Sequence, residues 1–167
     1  FQVQFNTGNL FAFYFGLLAL VLGVASLINS RIVEKHGAKF IAFRAIFVVV
    51  IASLAFFSLH AFVAISLWMF MVYAAIFFFC FGLLFGNVNA LAMEPMGHVA
   101  GIASAVIGSV SSIMSLSIGT LIGQMYNNTL MPISGGFAIT GTLALCIIYW
   151  AEKGRVEENV SAESSAV

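Results

Sequence analysis

An all-α membrane protein of five transmembrane helices is the fold class this sequence predicts, and three observations predict it. The chain is 62% hydrophobic and 7% charged, with a mean hydropathy of +1.11. A soluble domain carries about 25% charged residues and needs them to clothe its surface. Its uncharged runs are as long as a bilayer core is thick. Its basic residues, Arg31, Lys35, Lys39, Arg44, Lys153 and Arg155, gather in two places and leave the long runs between them bare.

Taken in order, residues 1–9 hold Gln2, Gln4, Asn6 and Asn9 and read as a loop. The stretch from Leu10 to Ile28 has no charge. At about 1.5 Å per residue it reaches about 28 Å, close to a bilayer core of about 30 Å. It is the first span. Asn29 to Lys39 then brings most of the basic charge. No formally charged residue follows between Ala45 and Met93, which is too long for one helix, since about 20 residues suffice. His60 marks the natural break, giving spans at about 40–59 and 63–91. Pro95 ends the second of these, because the residue before proline disfavours helix. A fourth span runs over about 100–125. Asn127, Asn128 and Thr129 are turn residues, and Pro132 suits the first turn of a fifth span over about 132–151. Tyr149 and Trp150 close it where amphipathic rings prefer to sit. Residues 152–167 are polar and acidic and read as a disordered tail.

The domain organisation is therefore a loop remnant (1–9), a helical bundle (10–151) and a tail (152–167). Five crossings put residues 29–44, 92–99 and 152–167 on one side, and all six basic residues lie there. The positive-inside rule makes that side cytoplasmic, so the chain starts outside and its C-terminus is cytoplasmic. An outside start, with Phe1 in place of Met and no signal-peptide layout, points to a piece of something longer.

Within this frame, Phe81 to Met125 is the most informative stretch. On the fourth span Ser104, Gly108, Ser111, Ser115, Gly119 and Gly123 recur at steps of three and four, which puts them on one face. A face that is small rather than charged suits close helix packing inside lipid. Cys80 and Cys146 stand alone in apolar surroundings and read as packing residues, not as a metal or redox pair. No basic run suited to nucleic acid occurs. An intramembrane enzyme would need a metal cluster, a Ser/His pair or paired acids at membrane depth. None is apparent, so the chain is read as no enzyme, with no cofactor and no metal.

Between the first two spans lies SRIVEKHGAK, Ser30 to Lys39. Its pattern resembles the cytoplasmic loop motif of the major facilitator superfamily, G-x-x-x-D-R-x-G-R-K. Ser30 stands at the first glycine, Glu34 at the aspartate, Lys35 at the arginine and Gly37 at the second glycine. Ala38 replaces a basic residue and Lys39 keeps one. Gly37 permits a tight turn between antiparallel helices. An acid there suits a neighbouring helix N-terminus. A basic residue paired with an acid on the closed side would bias a two-state equilibrium, a gate. The plainer alternative is a basic loop that only fixes topology.

A second resemblance rests on GNVNALAMEPMGHVAGIASAVIGSVSS and on IGTLIGQMYNNTLMP. Asn89-Ala90 near a helix end, Ala100-Gly101-x-Ala103-Ser104-Ala105 opening the next, then Gly108, Gly119, Gly123 and Pro132 look like the tenth to twelfth helices of bacterial multidrug efflux transporters of the Bcr/CflA type. These are drug:proton antiporters of the major facilitator superfamily. The resemblance implies that the five spans form most of the C-terminal six-helix bundle of a twelve-helix fold in the bacterial inner membrane. Its expected partners are the bilayer, a small-molecule substrate, protons and a missing N-terminal half of the same chain. It also implies that the first, third and fourth spans line the central cavity, while the second and fifth stand outside. No acid lies deep in any span, so a coupling carboxylate is expected in the missing half.

Candidate path residues follow. Tyr14 and Tyr73 carry hydroxyls inside apolar spans, Phe15 offers a shape-tolerant apolar face, and Gln124 lies near the outer end of the fourth span. Asn89 fits either the cytoplasmic end of a path or a helix-end hydrogen bond. For Asn87, which lies well round the helix from it, a hydrogen bond to a neighbouring span is the preferred reading. Glu94 and His98 are read as a solvated helix cap. The leading function is efflux of small, mostly apolar drugs by proton antiport with alternating access. The alternatives are a structural helix-bundle subunit and a carrier for a different small metabolite.

Overall fold

The computed structural model describes Phe5, residues 8–127 and residues 129–165, with the side chains of Asn9, Ala61, His98 and 152–165 excepted. Most of the expected loop at 1–9, the side chains of His98, Lys153 and Arg155, and the last two residues therefore lie outside the described part. Five helices follow in order: α1 (Phe11–His36), α2 (Ala38–Phe62), α3 (Leu67–Met93), α4 (Ala100–Gln124) and α5 (Met131–Ser165). Single tight 3-10 stretches, Gly8–Leu10 and Glu94–Val99, precede α1 and α4. All five helices are long and apolar enough to cross a membrane, and the chain is a multi-pass membrane protein by that criterion.

Three boundaries differ from the sequence reading. The stretch expected to loop from Ser30 is helical to His36, and one residue, Gly37, makes the whole turn. Arg, Glu and Lys are good helix formers, so nothing in SRIVEKH halts the helix before glycine does. Gly37 sits at φ 79°, ψ 147°, a conformation open to glycine and strained for other residues, and its N–H donates to the Val33 carbonyl at 2.9 Å. Ser30 donates back to Leu27 O at 2.7 Å instead of shaping a loop. At the other end of α2, helix passes His60 and stops at Phe62, and Val63 is extended. Then α3 begins at Leu67, where the Ser66 hydroxyl caps it by accepting from the Met69 N–H at 3.3 Å. Finally, α5 continues to Ser165 where a disordered tail was expected after Ala151. Residues 152–165 contain Glu, Lys, Arg and Ala, which extend a helix already nucleated in the apolar part.

Contacts along the seams give the helix directions. On α1 and α3, Leu18 packs with Met71 and Ala74, Ala25 lies against Gly82, and Asn29 bonds Asn87. Both numbers rise together, so α1 and α3 are parallel. On α2 and α3, Phe56 meets Tyr73 while Ala45 and Val49 cluster with Cys80. Here one number falls as the other rises, so the pair is antiparallel. Phe57 beside Gly135 and Val50 beside Gly141 make α5 antiparallel to α2. Helix α3 is thus flanked by α1 and α2, and α5 completes the layer on α2. The alternation gathers the Gly37 turn, the Glu94–Val99 turn and the C-terminal part of α5 at one end. That end carries the basic positions.

Helix α4 stands apart and is largely exposed, with Ala103 its buried residue. The expected packing face is therefore not covered by this chain. A Cβ added at Gly108, Gly119 or Gly123 would meet nothing within 4 Å, and Ser104, Ser111 and Ser115 are exposed. Periodicity states which residues share a face, not what covers it. The tight approaches lie elsewhere: an added Cβ at Gly82 would stand 2.7 Å from the Leu22 carbonyl oxygen and 2.8 Å from Ala25 Cβ, and one at Gly136 would stand 2.7 Å from Cδ1 of Ile122, near the end of α4.

Candidate functional site

Between α2, α3, α4 and α5 lies an open cavity of about 560 Å³. Its apolar walls include Val49, Phe77, Phe81 and Phe137, with the Phe77 and Phe137 rings 4.3 Å apart. Asn89, Ser111, Ser115 and Thr140 set polar atoms into that wall. The geometry follows from helix spacing. Phe81, Phe85 and Asn89 recur at four-residue steps on α3, Ser111 and Ser115 do so on α4, and each set therefore faces one way. Two polar groups are already engaged: Asn89 Nδ2 donates to Phe85 O at 2.8 Å and the Thr140 hydroxyl to Gly136 O at 2.8 Å. The Asn89 carbonyl oxygen and the serines supply polar contact on an otherwise greasy surface. No acidic side chain lines the cavity among the described residues. Its volume and sparsely polar, mainly apolar lining are those of small-molecule pockets.

The expected path residues divide. Asn89 is in the cavity, and Ser111 and Ser115, expected to pack helices, join it there. Tyr73 is not: its ring is buried and stacked on Phe56 at 4.3 Å, and its hydroxyl shares a 3.0 Å hydrogen bond with Ser53. Tyr14 is half-buried against the Leu18, Met71 and Ala74 cluster. Phe15 is half-exposed, stacked with Phe11 at 5.9 Å and edge-on to Phe78 at 6.4 Å. Gln124 is exposed at the last residue of α4. Helices α2 and α5 line this space together with α3 and α4, and α1 does not.

At the basic end, Gly37 and Lys39 border a second concavity of about 630 Å³ with His36, Ala90, Leu91 and Glu94. The turn between α1 and α2 is thereby brought beside the end of α3. Ser30, Glu34 and Lys35 stand exposed on the last turns of α1. Asn87 is 2% exposed and behaves as a strut: its Nδ2 donates to Asn29 Oδ1 at 2.7 Å and to Leu83 O at 2.7 Å.

Sequence reasoning missed Thr140, Ser53 and Asn29. Asn29 had a usable signal. It ends the first apolar run as Asn87 nears the end of the third, and two parallel helices bring such residues level. Ser53 and Thr140 had none, since hydroxyls in apolar helices commonly bond their own backbone. No group of three or more His, Cys, Asp or Glu side chains comes together among the described residues. No protein-family model matches the chain, and neither a curated protein nor a solved structure is significantly similar to it.

Proposed function

We propose that the chain is the larger part of the C-terminal bundle of a major facilitator-type secondary transporter. It exports small, mostly apolar compounds by proton antiport from the bacterial cytoplasm, with its C-terminus inside. One observation carries the reading: the cavity of about 560 Å³ among α2–α5, aromatic in its walls and sparsely polar through Asn89, Ser111, Ser115 and Thr140. Small-molecule sites are of this kind, about 300–1,000 Å³, apolar, with a few placed polar groups. The concavity holding Lys39 and Glu94 supplies the basic end with groups that respond when that side opens. The proton-carrying acid belongs to the remainder of the transporter.

Resistance to structurally unrelated toxic compounds, conferred by the full-length gene in a sensitised host, is the test. Ser115→Trp fills the cavity from α4 and should cut resistance on the order of tenfold, the factor that about 1.4 kcal/mol of lost binding gives. Membrane insertion should be unchanged. Resistance that is absent, or indifferent to Ser115→Trp, overturns the reading. Lys35→Glu reverses a charge at the basic end and should lower transport several-fold while leaving the amount of inserted protein unaltered. Unchanged export would remove the gating role of that turn. The uncovered small face of α4 favours a second reading, a bundle subunit that only holds a partner. Such a subunit confers no resistance, and a metabolite carrier gives uptake or release of one compound in place of broad export.

A further inference from the structure

A second apolar space lies on the outside of the bundle, where α1 and α2 meet at Gly37 and each rests on α3. It is a groove of about 570 Å³ with walls that include Val21, Ile41, Val48, Ile76 and Phe79. Val48, Ile76 and Phe40 are exposed along it, so its mouth opens away from the packed helices. Its basic contributions come from one place, the Arg44 guanidinium and the His36 imidazole at the basic end. The His36 ring stacks on Phe40 with centroids 5.9 Å apart and planes 17° from parallel, and the Arg44 guanidinium carbon sits 4.3 Å from the Phe40 centroid.

Arg44 is one turn further into α2 than Phe40, and helical side chains lean toward the N-terminus. The guanidinium is thus carried back toward the membrane surface while its stem covers apolar wall, the habit of arginine near helix ends. A cation–π contact holds it there and leaves its N–H donors in the plane of the guanidinium for an anion. No carboxylate lines the groove among the described residues.

The geometry points to an anionic phospholipid of the leaflet on the basic side, one acyl chain laid in the groove and its phosphate on Arg44 and His36. The charge complementarity selects this occupant: the apolar trough supplies the contact for a chain, and the cation stands at the end where the headgroup lies. Basic pockets between transmembrane helices bind anionic headgroups in this manner. The inference does not depend on the chain being a transporter.

The test uses the full chain purified in neutral detergent and titrated with phosphatidylglycerol or phosphatidylcholine, with retained lipid measured by native mass spectrometry. Phosphatidylglycerol should be retained over phosphatidylcholine by on the order of fivefold, the factor that about 1 kcal/mol from the single cation Arg44 gives. Arg44→Gln should erase that preference, and Arg31→Gln, outside the groove, should keep most of it. Val48→Trp leaves the charge in place and should reduce retention of both lipids, so the inference stays testable if Arg44→Gln fails to fold. It is overturned by equal retention of the two lipids, by equal losses from Arg31→Gln and Arg44→Gln, or by inorganic phosphate competing as well as the lipid. It is also overturned by a dimer that occludes the groove, seen as a doubled mass with no effect of Val48→Trp on lipid.

Discussion

Gly82→Leu should leave α1 and α3 unable to close on one another and should cost about 3 kcal/mol or more, the upper end of overpacking penalties. The reason is the identity of the atoms met. A Cβ at Gly82 would stand 2.7 Å from the backbone oxygen of Leu22 and 2.8 Å from Ala25 Cβ, and Ala25 is fully buried. Neither atom is the far end of a flexible side chain, so one helix must move bodily. Gly136 would likewise meet Ile122, but only through side-chain atoms, the nearest its Cδ1 at 2.7 Å. Gly108→Leu, on open space, should leave this chain's own packing unaltered. Thermal unfolding of the purified protein in detergent checks the contrast. Equal midpoints for Gly82→Leu and Gly108→Leu would remove the seam as a place of close helix approach.

Asn29→Leu should destabilise by about 1–2 kcal/mol, at the upper end of what hydrogen bonds between membrane helices contribute. It leaves an Asn87 N–H with no acceptor at a site only 2% exposed. The other N–H keeps Leu83 O, so the loss is partial. The double variant Asn29→Leu/Asn87→Leu should recover much of the stability, because removing both partners strands no polar group. A double-mutant cycle read from unfolding midpoints measures the coupling. Strictly additive costs would show that the two carboxamides act independently.

The number of membrane-crossing helices and their rough positions are legible in residues 10–151 because the signal is long and one-dimensional. Hydrocarbon offers no partner for backbone N–H and C=O groups, so an apolar run of bilayer length has helix as its only open conformation. Helix ends are less legible. His36 and Phe62 lie beyond the apolar runs in polar or mixed sequence where helix continues at little cost, and Gly37 and Ser66 supply the stops. Of the candidate site, Asn89 is legible as a polar residue in a costly place. Its companions Ser111 and Ser115 are legible only as small residues on one face, and Thr140 arrives from a helix far along the chain.

Taken alone, the sequence determined the solvent, the five crossings and the clustering of basic charge between them, since each depends on local hydrophobicity and the chain's own order. Which faces meet was decided only in three dimensions. In water, polarity contrast marks the buried side of a helix; in lipid a neighbouring helix and an acyl tail are equally apolar, so shape and hydrogen bonds choose the partner. That is why the seam runs through Gly82 against Ala25 and Asn87 onto Asn29, while Gly108, Gly119 and Gly123 of α4 look out on open space.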